Sequence, residues 1–519
     1  MSSRFDEAIE STAQALRRSR PLRIWLRSLR WCGDSIRLTT ELGVKDRVLL
    51  AQSGSEAIVL FLLRAKDREG GSRPVHLPLS IASARLDPMA FELETDESAF
   101  YILEAERRGG YARVLVDGFR RGAKIRTASG DSLTFQGEAV DAFRGMSPIP
   151  SGDTSNVLIR IATARDSIIL KSYKFLDASN REPEVLARLQ ARSFPHAARF
   201  VGEVRLGRGK DRLVLAIATE HVDGLDLFSW LREGWTNTLG AEGGSNAEMD
   251  RASRFVASDL GEAIARLHEA LIDRHPGPWR LEPFTSEDFR LVFKEAMRSL
   301  AAALRRLGRL GHAADRTRAD SARRARSRLL DLREGIEKTL GNLEANVGGP
   351  KSVIHSDLHL AQVLRRRSDG RLLFIDFEGE PERAPGQRAR KRPPLRDVGT
   401  MVRSFAYVRH YVMRDRAGDT EAPLMWPLDL DGLSTPQRDL MKRLIAWEAE
   451  TVDRFVRAYL DSSTLYRDLE TTDASFLVKG WAMEKALYEL DYELKHRMEN
   501  FLIPLDGIAA LAATGRGPG

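Results

Sequence analysis

The sequence predicts an α+β protein, and three observations carry that prediction. A middle segment beginning at Ser151 is rich in β-branched runs in the order β-β-α-β-β. From about Asp226 onward the chain becomes mainly helical, and the segment before Pro150 mixes strand and helix. Expected boundaries therefore fall at 1–150, 151–225 and 226–519.

In the first segment, Ile58–Leu63 reads as a buried strand and Val75–Leu79 as a second short extended piece. In the second, Val157–Ala162 and Ser167–Lys171 are paired by a short polar turn, and Phe200–Leu206 and Leu213–Glu220 by the turn 207–211. A helix over 184–192 separates the pairs. In the third, Phe255, Leu260, Ile264, Leu267 and Leu271 recur near helical spacing and predict one buried face. The stretch 236–246, rich in Gly, Ala and Asn, predicts an exposed insertion. Met483, Leu487, Leu490 and Leu494 predict the buried face of a long helix near the C-terminus.

Composition narrows the function classes. The 519 residues exceed one compact domain, and 42% apolar with 30% charged residues excludes wholesale disorder. A formal charge of +7 is small for this length and does not by itself point to nucleic acid. Cys32 is the only cysteine, which excludes a disulfide framework within the chain and a cysteine-built zinc site. The longest apolar run, 57–63, is far short of the roughly 20 residues of a membrane helix. The first residues mix both charges without an apolar core, so no secretion signal is expected and the cytoplasm is the expected compartment. Arg305, Arg306, Arg309, Arg316, Arg318, Arg323, Arg324, Arg326 and Arg328 crowd one helical region. No aromatic residues interleave with them for base stacking, so a solvated helix face is expected rather than a nucleic-acid surface.

The chemistry concentrates in VIHSDLHLAQVLRRRSDGRLLFIDFEG, residues 353–379. Here a short apolar lead-in precedes His355, Asp357, His359 and Gln362, then a turn at Ser368-Asp369-Gly370, then a strand ending in Asp376. Phosphoryl transfer asks for such a set: a carboxylate to accept the proton of an attacking hydroxyl, and oxygen ligands to hold magnesium against phosphates. Asp357 precedes Gln362 by the spacing that separates base and metal ligand in a kinase catalytic loop, and Asp376 stands where the second metal carboxylate belongs. A competing reading takes His355, Asp357 and His359, alternating on one strand face, as zinc ligands. That reading leaves Gln362 and Asp376 without a role.

Upstream, Lys171 ends a strand as a phosphate-binding lysine would, and Glu184, opening the next helix, is the expected partner that fixes it. Thr154, Ser155 and Asn156 precede the first strand where a phosphate loop would lie, although the stretch is not glycine-rich. Glu220 and Val222 at the end of the last strand would offer backbone groups to adenine.

These motifs resemble those of the maltokinases, bacterial sugar kinases related to the aminoglycoside phosphotransferases. His355–Gln362 and Ile375–Pro381 match that family's catalytic and metal motifs, with Ser356 in place of its glycine. Leu395–Phe405 (LRDVGTMVRSF), Glu484–Arg497 (EKALYELDYELKHR) and Arg30-Trp31-Cys32-Gly33 match further elements. The family's Asn-Arg-Pro helix ending is absent.

The resemblance implies a bilobal protein kinase-like fold with an N-terminal α/β cap subdomain, a β-rich nucleotide-binding lobe and a mainly helical C-terminal lobe. It implies ATP with Mg2+ and phosphorylation of maltose at its anomeric hydroxyl, with Asp357 as base, Gln362 and Asp376 on magnesium, and Lys171 on phosphate. Candidate sugar contacts are His359, Glu378, Arg396, Tyr488, Tyr492 and Arg497. Tyr488 and Tyr492, four apart, share a helix face that suits a sugar ring or core packing alike. A glucosamine or aminoglycoside-type kinase is the alternative acceptor reading. A catalytically silent partner of a trehalose-synthesising enzyme is the other, and any trehalose synthase would be a separate chain. A monomer is the favoured state.

Overall fold

The computed structural model describes residues 4–32, 41–66, 72–95, 98–149, 156–207, 209, 212–240, 246–417 and 434–513. They divide into two compact units, Met1–Gln190 with Ala198–Val222, and Ala191–Ala197 with Asp223–Gly519.

The first unit holds two antiparallel sheets. β1 (Glu41–Gln52), β2 (Glu56–Lys66), β3 (Ser72–Ala82), β4 (Phe91–Glu94) and β5 (Ala99–Glu104) form one, in the order β1-β2-β3-β5-β4. The strands expected at 58–63 and 75–79 lie inside β2 and β3. The helices Arg4–Arg18 and Arg20–Ser28 bury Phe5, Ile9, Leu16, Leu22 and Leu26 against Val59, Phe61, Leu77 and Ile81 of this sheet. The second helix opens on Ser19, whose hydroxyl accepts from Leu22 N, with Pro21 in its first turn, a standard stop-and-start signal.

The second sheet has seven strands in the order β6-β7-β11-β12-β10-β9-β8. These are β6 (Lys124–Arg126), β7 (Ser132–Gly137), β8 (Phe143–Pro148), β9 (Val157–Thr163), β10 (Ser167–Ser172), β11 (Phe200–Leu206) and β12 (Leu213–Glu220). The four strands read from β-branched runs are β9 to β12, and the helix Glu182–Ala191 stands between the two pairs as expected. Three strands from before residue 150 join the same sheet, so pairing continues across that position. The outer two, β6 and β8, are short and largely half-exposed or exposed and carry no strong apolar alternation, whereas β7 buries Leu133 and Phe135.

In the second unit, β14 (Val363–Arg366) and β15 (Leu372–Phe374) form a hairpin, with β13 (Gly224–Asp226) beside β14. Helices Ser286–Leu310, Thr471–His496 and Leu502–Ala513 share a core that contains Met483, Leu487, Leu490 and Leu494, the face the sequence predicts. The helix Leu395–Ala417 approaches Thr471–His496 so closely at Gly399 that a Cβ there would meet Trp481 Cβ at 2.6 Å.

Two expectations need correction here. The helix Asn246–Ala270 buries Leu260, Ile264 and Leu267, but Phe255 is 67% exposed. Five residues turn about 140° past a full helical repeat, so Val256, four before Leu260, takes the inward place. The expected insertion at 236–246 is helical through Gly240, within the helix Leu227–Gly240; residues 241–245 lie outside the described set. Of the arginine-rich stretch, Arg306 pairs with Asp491 and Arg318 with Asp315, and the other arginines except Arg306 are exposed. Among the described residues no helix is long and apolar enough to cross a membrane.

Candidate active site

In the second unit, the residues 353–379 fold as a loop, one turn of 3-10 helix at Leu360–Gln362, and the β14–β15 hairpin. Gln362 Nε2 donates to Asp376 Oδ2 at 3.0 Å, so the two expected magnesium ligands touch. Ile375 N donates to Gln362 O at 3.0 Å and holds the two strand ends in register. Ser356 (φ 72°) and Asp376 (φ 66°) both adopt the left-handed backbone region, which non-glycine residues enter at a cost of about 1–3 kcal/mol. Strain at these two positions, one beside Asp357 and one at Asp376 itself, is the kind that surrounding structure must enforce.

That enforcement is visible. Asp397 accepts from His355 N at 2.8 Å and Ser356 N at 2.9 Å, and meets His268 Nε2 at 3.2 Å, while His268 Nδ1 meets the Tyr459 hydroxyl at 2.9 Å. Burial would raise the Asp397 carboxyl, but His268 and the His355 backbone hold it below its ordinary value. His355 Nε2 donates to Ile375 O at 2.9 Å. Among the described residues, the ligand atoms of His355, Asp357 and His359 do not come together as a set that could hold a metal ion. Burial pushes His359 down from its ordinary value, with Lys485 and His355 adding to the effect.

Around Asp357 stands a cluster the sequence reading missed. Lys485 Nζ donates to Asp357 Oδ1 and to Glu380 Oε1, each at 2.8 Å. Glu380 also binds Arg396 at 2.7 Å and Arg383. Burial alone would raise the Glu380 carboxyl, yet Arg383, Arg396 and Lys485 hold it well below the usual carboxylate range. Burial opposes the Lys485 ammonium, but Asp357 and Glu380 raise its affinity for the proton. Lys485 sits in the run Ala482–Leu487, buried throughout once the helix packs, and a buried lysine requires a partner.

The expected sugar contacts separate. Arg396 is corrected: it is 2% exposed and binds Ser356 O at 3.0 Å, Glu380 and Glu484, so it braces the loop from beneath. Tyr488 and Tyr492 stack with centroids 6.2 Å apart and planes 20° apart, both half-buried on an otherwise buried helix. Lys485 Nζ lies 4.7 Å from the Tyr488 centroid. Arg497 binds Glu493 at 2.7 Å with its guanidinium over Tyr492, and Glu378 is half-buried two residues past Asp376.

In the first unit, Lys171 Nζ donates to Glu182 Oε2 at 2.7 Å, and the Tyr173 hydroxyl donates to the same oxygen at 2.6 Å. The expected partner Glu184 instead pairs with Arg212 at 2.5 Å. Two residues along a helix turn by about 200°, so Glu182 and Glu184 point to opposite sides, and only Glu182 faces the strand. Pro183, next to Glu182, is the sequence signal that the helix opens there. Asn156 is buried, and its carbonyl accepts from Arg30 at 3.4 Å. Thr154 and Ser155 lie outside the described residues. Glu220 closes β12, with its N–H on Arg199 O, and Val222 is the last residue of this unit.

The profile of the phosphotransferase enzyme family (APH) matches residues 145–426, more than half of the chain. The chain belongs to that family. The chain is 25% identical over 285 residues to a glucosamine kinase of Streptacidiphilus jiangxiensis, and 30% identical over 180 residues to one of Mycolicibacterium smegmatis. It spans 58% and 39% of the length of these relatives. Among solved structures it is similar to a glucosamine kinase in complex with glucosamine, ADP and inorganic phosphate, with TM-score 0.59 and 18% identity, over 95% of this chain and 97% of that one. A second crystal form of a glucosamine kinase gives TM-score 0.61 at 19% identity. The fold is the kinase-like one, with a curled sheet lobe and a helical lobe.

Proposed function

We propose that this phosphotransferase is an ATP-dependent sugar kinase. The observation that carries the reading is the Gln362–Asp376 contact on the loop that also presents Asp357, with the backbone strained at Ser356 and Asp376. Asp357 orients the acceptor hydroxyl and takes its proton as the phosphorus–oxygen bond forms. Lys171, fixed by Glu182, binds the nucleotide phosphates, and Glu220 and Val222 meet the adenine. Gln362 and Asp376 lie side by side and are the residues that would hold Mg2+ through an amide and a carboxylate oxygen, and the ion would supply charge neutralisation on the phosphates. The retention of Asp357, Gln362 and Asp376 together speaks against a silent role, for which none of the three is needed.

The acceptor reading takes glucosamine first, because the relatives carry that activity in their names. Maltose is the second reading, favoured by the helix Glu484–Arg497 with its stacked Tyr488 and Tyr492. Residues 1–150 act as the cap, 151–225 as the nucleotide lobe and 226–519 as the acceptor lobe, in a cytoplasmic, monomeric enzyme; any trehalose synthase partner is a separate chain. ATP consumption with Mg2+ against glucosamine, maltose, glucose and an aminoglycoside, with products weighed by mass spectrometry, tests this. One sugar phosphate is expected, and Asp357→Asn should lower its rate by about 10²–10⁴-fold while ATP binding persists. No phosphorylated product from any sugar, or full activity in Asp357→Asn, would overturn the reading.

A further inference from the structure

The strand that carries Lys171 is gripped from both sides, and only one grip belongs to the site described above. Along Lys171–Lys174 the side chains alternate. Lys171 and Tyr173 turn to Glu182. Ser172 and Lys174 turn the other way, to Glu106 in the short 3-10 turn after β5: Ser172 Oγ donates to Glu106 Oε1 at 2.8 Å, and Lys174 Nζ binds the same oxygen. Lys174 and Ser172 are 0% exposed and Glu106 is 2% exposed. The Trp31 ring lies 5.0 Å from Lys174 Nζ, and the Trp31 indole is itself held by Glu104 at 2.5 Å.

Backbone bonds continue the grip. His76 N donates to Lys174 O at 2.9 Å, Leu176 N donates to Pro74 O at 2.9 Å, and Val75 bridges Phe175. The five-stranded N-terminal sheet is thereby fastened to the segment immediately after Lys171.

A buried ion pair of this kind is a poor way to gain stability, since the desolvation of both ions offsets their attraction and well-packed apolar side chains do as well or better. The best-attested use of such buried ionic groups is to select one alignment. Here Glu106 holds one face of the strand whose other face sends Lys171 to Glu182.

We propose that Glu106 is a positioning residue for Lys171, acting from the N-terminal sheet through Ser172 and Lys174 to hold the lysine on Glu182. The proposal rests on the reading of Lys171 as the phosphate-binding lysine, and its test separates the two.

Glu106→Gln or Lys174→Met alone leaves a buried charge without its partner and risks failure to fold. The informative variant is therefore the triple Glu106→Leu, Ser172→Ala, Lys174→Met, which removes both charges and the hydroxyl beside them at once and places Met over Trp31. Glu106→Asp, which keeps the charge one methylene short, is its companion. Two quantities are measured on full-length protein: the rate at which a small acylating reagent modifies Lys171 in the absence of nucleotide, read by mass spectrometry, and the ATP dissociation constant by calorimetry. Circular dichroism and thermal unfolding confirm that each variant is folded.

The folded triple variant is expected to expose Lys171 to acylation at least about tenfold faster, the scale of losing one charge-assisted hydrogen bond, with Glu106→Asp in between. ATP binding should weaken by a similar factor. Unchanged acylation in the folded triple variant overturns the positioning role, whatever ATP binding does. Faster acylation with unaltered ATP affinity supports positioning and sinks instead the assignment of Lys171 to the phosphates.

Discussion

Lys485 joins Asp357 to Glu380: one ammonium nitrogen lies 2.8 Å from an oxygen of each. The carboxylate proposed as base is thus tied to a buried ionic cluster on the helix Thr471–His496. Lys485→Met keeps the length and apolar stem of the side chain and removes the charge. Glu380 retains Arg383 and Arg396, so the variant should fold, at a cost of about 1–3 kcal/mol. Asp357 loses its anchor, and kcat should fall about ten- to hundredfold with the KM for ATP unchanged. Steady-state kinetics beside urea unfolding check this, and a wild-type kcat in a folded variant would show that Lys485 does not set Asp357.

Glu295 is the acid on which a second group of bases converges. It meets Arg392 at 3.1 Å, Arg383 at 3.3 Å, Arg390 at 2.9 Å and Gln387 at 2.9 Å, and its side chain is 6% exposed. Removing one member of a buried pair costs more than the pair itself is worth, because the other charge is left in the interior. Glu295→Leu should therefore lower stability by about 3–5 kcal/mol. Adding Arg392→Met should recover part of that loss. A double variant no more stable than Glu295→Leu in urea would argue against an ionic origin.

Asp397 sets a pH dependence with a definite sign. Its folded pKa lies below the ordinary value, so the unfolded chain binds its proton first as pH falls. The contribution is complete above about pH 4, the unfolded carboxyl's range, and drains away as the pH drops through the folded value. Asp397→Asn should be less stable than wild type at pH 7 by about 3 kcal/mol, since three donors lose a charged acceptor. That gap should narrow below pH 4, where wild type loses what the variant never had. Denaturant unfolding from pH 7 to pH 3 reads the gap directly, and a constant difference would rule the linkage out.

The strands β9 to β12 were legible because each is a β-branched run bounded by turn residues, and the meeting of Gln362 with Asp376 because the two stand at the start and just past the end of one short hairpin. Burial of a given apolar side chain was not legible from its type, as Phe255 and Val256 show. Nor was Lys485 legible as the partner of Asp357, since that contact joins positions 128 residues apart and exists only once the helices pack. The partner of Lys171 failed for a smaller reason. It depends on helix phase, and an error of two residues at a helix start reverses which face a glutamate occupies.

That last difference is measurable. Glu182 is 2% exposed and receives both Lys171 and Tyr173, whereas Glu184 is half-exposed and bound to Arg212 on the surface. Glu182→Gln keeps the shape and one acceptor oxygen but removes the charge that holds the lysine, so the KM for ATP should rise about tenfold or more. Glu184→Gln loses an exposed ion pair of the class worth at most about 1 kcal/mol, and both its kinetics and its stability should stay within about twofold and 1 kcal/mol of wild type. Measuring the KM for ATP in both variants at saturating acceptor decides between the two glutamates. A larger effect at Glu184 than at Glu182 would restore the helix phase read from the sequence and remove the inner pair from the mechanism.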